Sequence, residues 1–460
     1  MTVDSTSAAS RSAAGHFLLS KATLDAMASG LVKQALGRGA SDAVARVSES
    51  DQLLVQVRDF RPETLEKSQR QVVSLTVYNG SRSGSARTSD LSPKALSSTL
   101  DAAWHIAKYT GSDSWSGPAE ADLLETSPLD LELYQARSPE AEEAIEAARR
   151  AERAAMTAGA AIANSNGARV SVQHGQFSLA TSRGFVGGYA HSSHALACSV
   201  IAANAAGMQD GEWGMARRRY ADLDAPETIG RTAARRALDK LDARPLKTER
   251  MPVLFEASVA ASLVGSLVAA ISGQALYLGR SFLTGSLGQL LLPEHVDLHE
   301  TPHERRGLAS APFDDEGVRT RAREVIKEGV LQGYFLSTYA ARRLAMPCTG
   351  HAGGPYNLSL FSSRTAANDG LDAMVRRLHR GLLVTEFMGH GVNPVTGDYS
   401  RGVSGFWVEG GEIQHPVHEV TVSGNLKRMF LDIAAIGADV HMAPTRTGSI
   451  LVDSLLVAGR

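Results

Sequence analysis

The sequence predicts an α+β protein of two domains. The N-terminal domain combines helices with an antiparallel sheet; the C-terminal domain is β-rich, barrel-like or sandwich-like, with a few helices. Three observations predict this. The chain has 460 residues, and single cores stop growing near about 250–300 residues. The first half reads as helices followed by a run of short strands. The second half is strand-like and rich in glycine, with helices at intervals.

Residues 1–15 are rich in Ser, Ala and Thr and read as a disordered lead-in; they lack the apolar stretch of a signal peptide. Lys21–Arg38 has helical periodicity and stops at Gly39. Leu53–Asp59 and Val72–Tyr78 read as strands, and Asn79-Gly80 is a hairpin signal. Ser92–Tyr109 is a second helix, with Ser92 placed to cap and Pro93 in the first turn. Pro139–Ala163 reads as a long helix capped by Ser138, with Glu140, Glu142 and Glu143 at its positive end. Strands then follow at Ala168–Gln173, Phe177–Ser182, Phe185–His191, Leu196–Asn204 and Glu212–Tyr220, which suggests a meander.

A helix from Pro226 to about Leu241 closes the first domain, residues 16–242. The polar stretch Ala243–Arg250 marks the boundary, and residues 243–460 form the second domain. There, Met251–Phe255 is a strand and Ser258–Ile271 an apolar helix ended by Gly273. Further helices are expected at Gly370–Arg380 and Asn425–Ile436, with a closing strand at Ser449–Val457.

Apolar residues make up 43% and charged residues 21%, and the net charge is -2. No long-range field recruits nucleic acid or an acidic membrane. The longest apolar stretch, Val253–Ile271, is broken by Glu256, Ser258, Ser262 and Ser266, too polar for a membrane span. Two cysteines, Cys198 and Cys348, exclude a disulfide scaffold and suit a cytoplasmic protein.

One segment, His299-Glu300-Thr301-Pro302-His303, fits HExxH. That motif binds zinc because a helix sets two imidazoles one turn apart on one face. Here Pro302 lies between the histidines and disfavours helix. The alternation Val296, Leu298 is strand-like, and positions i and i+4 of a strand lie about 13 Å apart. A strand-to-loop segment without metal is the expectation. Asp314-Asp315-Glu316-Gly317 lacks the alternating ligands of an EF-hand and reads as a polar turn closed by Gly317.

The glycine-rich stretch contains Gly389, Gly391, Asn393, Asp398 and Arg401. It reads equally as a structural loop or as a peptide-binding one, with Asp398 and Arg401 able to pair or to grip peptide termini. No strand–GxGxxG–helix context supports a dinucleotide site. His191 and His194 straddle a turn without a third ligand. Cys348 and His351 are too close in sequence to argue for a nucleophile pair.

Five segments resemble the PmbA side of the TldD/PmbA family. They are Gly279-Arg-Ser-Phe-Leu283; Pro312-Phe-Asp-Asp-Glu-Gly-Val318; Thr349-Gly-His-Ala-Gly-Gly354; Thr396-Gly-Asp-Tyr-Ser-Arg-Gly402 running on to Gly405-Phe-Trp407; and Val420-Thr-Val-Ser-Gly-Asn-Leu426. The likeness is strong over residues 251–460 and less distinctive over 30–240. The resemblance implies a zinc helix, carrying HExxxH, in the TldD half of the family. Here Ala261, Ser262, Leu263, Val264, Gly265 and Ser266 stand on that motif. Both His positions (Ala261, Ser266) and the Glu position (Ser262) are replaced, and only Gly265 is kept.

The resemblance therefore implies a PmbA-like (TldE-like) subunit, inactive alone, with no cofactor of its own. It would pair with a TldD-like metallopeptidase that carries zinc, and the complex would cleave unfolded peptides. A homodimer when alone stays open. Two other readings stand beside this one: a stand-alone zinc peptidase using His299 and His303, and a protein-binding modulator of DNA gyrase without a peptidase role.

Overall fold

The computed structural model describes residues 16–459; the expected lead-in, 1–15, lies outside the described residues. The first half carries α1 (Lys21–Gly37), β1 (Asp42–Arg58), β2 (Arg61–Asn79), β3 (Arg82–Thr88) and α2 (Pro93–Tyr109). It continues through α3 (Ala141–Met156), β4 (Ile162–Thr181), β5 (Val186–Gly187), β6 (Ala190–Asn204), β7 (Gly207–Arg217) and α4 (Pro226–Leu238). Among the described residues these strands make one antiparallel sheet in the order β3-β2-β1-β4-β6-β7, with β5 against β4.

Alternation along β1 sets its buried positions on one face. Ala43, Ala45 and Val47 pack with Leu24, Leu31 and Leu100 of α1 and α2. Val55 and Val57 pack with Ala147, Ala148 and Ala151 of α3 and Ile229 and Ala233 of α4. Small residues on α3 and α4 let the helices approach closely: a Cβ added to Gly230 would lie 1.9 Å from the Ala151 carbonyl oxygen.

The second half carries β8 (Glu249–Phe255), α5 (Ala257–Ala270), α6 (Gly273–Tyr277), β9 (Val296–Glu300), β10 (Arg323–Lys327), β11 (Val330–Leu331) and α7 (Thr338–Leu344). Then come β12 (Leu358–Ser362), α8 (Leu371–Leu378), β13 (Gly381–Met388), β14 (Asp398–Glu409), β15 (Glu412–Asn425) and α9 (Leu426–Leu431). The chain ends with β16 (Ile433–Ile436), β17 (Thr445–Arg446) and β18 (Ile450–Ala458).

Strands β15-β14-β13-β8-β18 follow one another, and β18 pairs back onto β15 through Thr421–Ala458 and Ser423–Leu456. The sheet closes on itself, so the C-terminal domain is a barrel rather than a sandwich. Alternation on β8 sends Val253 and Phe255 to the main core and Leu254 to a second core under α8. A further sheet, β11-β10-β9-β12-β17, shares the main core with α5.

Three sequence expectations need correction. The long helix starts at Ala141 and ends at Met156, and Ser138 does not cap it; its hydroxyl meets His16 Nε2 at 3.2 Å. Ala168–Gln173 and Phe177–Ser182 are one strand, β4. Within that strand Gly175 makes room for the His191 ring, which a Cβ there would meet at 2.5 Å. The helix expected at Asn425–Ile436 stops at Leu431, and Ile433–Ile436 pairs with β18. The apolar spacing of Leu426, Met429, Phe430 and Ile433 fits a helix, but strand pairing in the core overrides it.

Candidate functional site at the domain interface

Helix α5 follows β8 directly. Ala257, Ala260, Leu263, Val264 and Leu267 are buried. Helical spacing brings Ala261, Ser262, Gly265 and Ser266 together on the other side, where they are half-buried or exposed. A Cβ built on Gly265 meets nothing within 4 Å, so space over this face is open. The Ser266 hydroxyl donates back to the Ser262 carbonyl at 3.1 Å. The Ser262 hydroxyl accepts from Arg401 Nη1 at 3.3 Å.

This donor set does not suit zinc. Alanine offers no ligand atom, and a neutral hydroxyl is a weak one. The Arg401 guanidinium beside Ser262 repels a cation. Among the described residues, no group of three or more His, Cys, Asp or Glu is arranged to hold a metal ion.

Arg401 comes from β14 and Phe387 from the neighbouring β13; the guanidinium lies 3.9 Å above the ring centroid. Arg401 Nε is shielded from solvent without a hydrogen-bond partner, and so is the Tyr399 hydroxyl. Tyr399 and Arg401, two apart on a strand, share one side of it. Burial raises the Tyr399 pKa, against the lowering effect of the adjacent Arg401 charge.

Asp398 does not pair with Arg401. It is exposed and takes hydrogen bonds from Thr396 Oγ1 (2.7 Å) and Asn425 Nδ2 (3.1 Å), which hold its carboxyl below the usual range. The Asn393 side chain accepts from the Val395 and Thr396 amides and shapes the turn. Gly391 runs so close to β14 that a Cβ would fall 1.7 Å from the Ser400 carbonyl oxygen. Gly389 has φ +67.

Ser262 and Phe387 border a cavity of about 1180 Å³ between the two domains. Its other wall is β7, of which Asp210 to Ala216 all line the space. At one end Glu256, just before α5, grips Arg236 of α4 at 3.0 and 2.6 Å, and Arg236 lies over Trp213. Lys240 bonds Glu386 at 2.5 Å. Sequence reasoning missed Phe387, Tyr399 and Trp213. The i, i+2 relation of Tyr399 to Arg401 was a usable signal; nothing local marks the other two.

The HExxH segment lies on β9 and the turn after it, as its proline predicts. His299 packs edge-on against Phe361, while His303 bonds Thr320. Glu300 is buried at 1% exposure. Burial alone would raise its carboxyl, but the His351 hydrogen bond, the His351 and Arg323 charges and the Tyr356 amide outweigh that and lower it. Desolvation depresses His351, which meets Glu300 at 2.9 Å.

Asp314 accepts from the Glu316, Val318 and Ala352 amides, and burial with the nearby Glu316 charge pushes it up to about 7. Gly317 closes that turn at φ +83. Cys348 donates to the Leu336 carbonyl, and burial pushes its thiol up to about 11, away from nucleophile chemistry. His194 bonds the Arg218 carbonyl, and burial lowers its pKa.

Comparison with known proteins decides the family. Residues 43–107, 134–241 and 248–459 match domain 1, the central domain and the C-terminal domain of the PmbA/TldA metallopeptidases. The chain is 41% identical over 429 residues to Metalloprotease PmbA of Escherichia coli O157:H7, covering 92% of this chain and 94% of that one. The chain belongs to the PmbA/TldD family.

Within that family it is PmbA-like. A PmbA homolog of Haemophilus influenzae is also 41% identical, over 93% of this chain and 94% of its own length. A TldD homolog of that organism is 25% identical over 50% of this chain and 53% of its own length. Among solved structures, a candidate modulator of DNA gyrase from Bacteroides thetaiotaomicron superposes with a TM-score of 0.89 at 25% identity, covering 94% of this chain and 98% of that one. TldE from Thermococcus kodakarensis shares the fold, with a TM-score of 0.82 at 19% identity over 94% and 100% of the two chains. Among the described residues, no helix is long and apolar enough to cross a membrane.

Proposed function

We propose that this chain is the non-catalytic, TldE-like subunit of a zinc-dependent peptidase that cleaves unfolded peptides in the cytoplasm. One observation carries the reading. The open face of α5, aligned with the family's zinc motif, presents Ala261, Ser262, Gly265 and Ser266 beside the Arg401 guanidinium. A helix kept in place with its ligands replaced and a cation beside it suits a subunit that shapes a chamber for chemistry done elsewhere. A TldD-like partner would supply zinc and the catalytic base. The likeness to PmbA proteins and the shared fold of TldE support that pairing.

The role left to this chain is to bind peptide. The cavity runs along β7, the last strand of its sheet, whose outer edge can accept an extended peptide as an added strand. The loop holding Gly389, Gly391, Asn393, Asp398 and Arg401 leads the chain back to the α5 side of that space.

The experiment is reconstitution. The chain alone, a TldD-like partner alone and their mixture are assayed on an unfolded peptide, with zinc measured in each. The mixture should cleave fastest, while the lone chain stays inactive and free of stoichiometric zinc. Cleavage and one zinc per chain in the lone protein would overturn the proposal.

A further inference from the structure

We infer that Arg401, Tyr399 and Ser262 form a carboxylate-binding subsite whose ligand is the free C-terminal carboxylate of a peptide lying in the interdomain cavity. The inference rests on the peptide-binding reading above. It adds which end of the peptide is held, and by which atoms.

The first support is an arginine without an acid. Arg236, Arg323, Arg342 and Arg446 are matched with Glu256, Glu300, Glu120 and Glu304, and Arg218 and Arg319, which have no acid, donate to several backbone carbonyls instead. Arg401 is half-buried, yet among the described residues it makes no ion pair; its one hydrogen bond goes from Nη1 to a neutral hydroxyl. Its Nε has no acceptor. A guanidinium stays charged at any working pH, so this one is partly desolvated without a countercharge.

The second support is the hydroxyl next to that guanidinium. Tyr399 is 2% exposed, and its hydroxyl has no partner. A buried hydroxyl normally finds one. It lies close enough to Arg401 to feel that charge. The Tyr399 and Ser262 hydroxyls therefore both lie beside the Arg401 guanidinium.

Their shape selects the ligand. Phe387 covers one face of the guanidinium, so further contacts come at its edge of parallel N–H groups. A planar, two-oxygen anion matches that edge; one cation and an aromatic wall suit a single negative charge. The subsite abuts Ser262 and Phe387, both on the cavity wall. A peptide laid along β7 can thus end against Arg401.

The test uses the full-length chain and a fluorescein-labelled, unstructured hexapeptide in two forms, with a free C-terminal carboxylate or a C-terminal amide. A third probe is an amidated peptide with an internal glutamate. Fluorescence anisotropy should show the free acid binding at least about tenfold tighter than either amide, as expected for a charge-assisted contact. Arg401→Gln should erase the preference by weakening the acid alone. Tyr399→Phe, which removes only the hydroxyl, should weaken it severalfold with unchanged folding.

Equal binding of acid and amide by the native chain overturns the subsite while leaving the peptide-binding reading intact. So does a preference that survives Arg401→Gln, or internal glutamate matching the free acid. Absence of binding by every probe also overturns the subsite; the subunit reading is then decided separately by the reconstitution assay.

Discussion

Arg401 Nη1 donates to Ser262 Oγ across 139 positions of sequence, joining the glycine-rich strand of the barrel to the open face of α5. The contact sets a permanent positive charge beside Ser262 on that face. The lack of strong ligand atoms at Ala261, Ser262 and Ser266 and the presence of the guanidinium act in one direction, against a metal ion.

The same open face gives a stability prediction. Gly265 lies inside α5 with helical backbone and free space over it. Gly265→Ala should stabilise the protein by about 1 kcal/mol, because alanine removes unfolded-state freedom and favours helix. The midpoint of urea unfolding checks this, and a fall in the midpoint would show that the face is already covered.

The HExxH histidines and glutamate should behave oppositely to a metallopeptidase site. His299→Ala removes a partly exposed ring and should cost less than about 1 kcal/mol. Glu300→Ala leaves Arg323 and His351 facing a void and should cost about 3–5 kcal/mol. Thermal unfolding of the two variants distinguishes them, and neither should change zinc content.

Arg218 ties the domains together. Its guanidinium donates to the Gly307 and Leu308 carbonyls of the second domain and to Ser192 of the first, with the residue 8% exposed. Arg218→Met should cost about 3 kcal/mol, since several buried acceptors lose their donors together. Limited proteolysis should then cut faster in the 301–310 turns.

Acid should destabilise the first domain through its histidines. His174 stacks on His16 at 3.6 Å, and desolvation with neighbouring imidazoles lowers its pKa to about 3. Burial and the Arg218 and Arg46 charges lower His191 to about 4. Unfolded histidine titrates near 6.5, so below that pH the unfolded chain binds protons that the folded one does not. Stability is full above about pH 6.5 and falls towards pH 4, by up to about 1.4 kcal/mol per pH unit for each histidine. His174→Phe should flatten the slope in a pH series of urea melts.

Local signals made the helices legible. The Ser92 cap, Pro93 and Pro226 at first turns and the apolar run of α5 are short-range chemistry, and they produced helices where expected. The proline in HExxH likewise decided a strand-to-loop segment. Strand extents were less legible. β1 and β2 run through polar residues such as Glu49 to Gln52 and Glu63 to Arg70 because each has a hydrogen-bonded neighbour over its whole length. Pairing partners do not appear in a local window.

By itself the sequence determined the α+β class and the family likeness, because both are written in residue identity and spacing. Only the tertiary structure decided that the second domain closes into a barrel, since closure depends on β18 meeting β15. Only it decided that Arg401 turns to Ser262 rather than Asp398, and that Tyr399 stands beside it without a partner. A strand and a helix 139 residues apart meet because both bury apolar faces in one core.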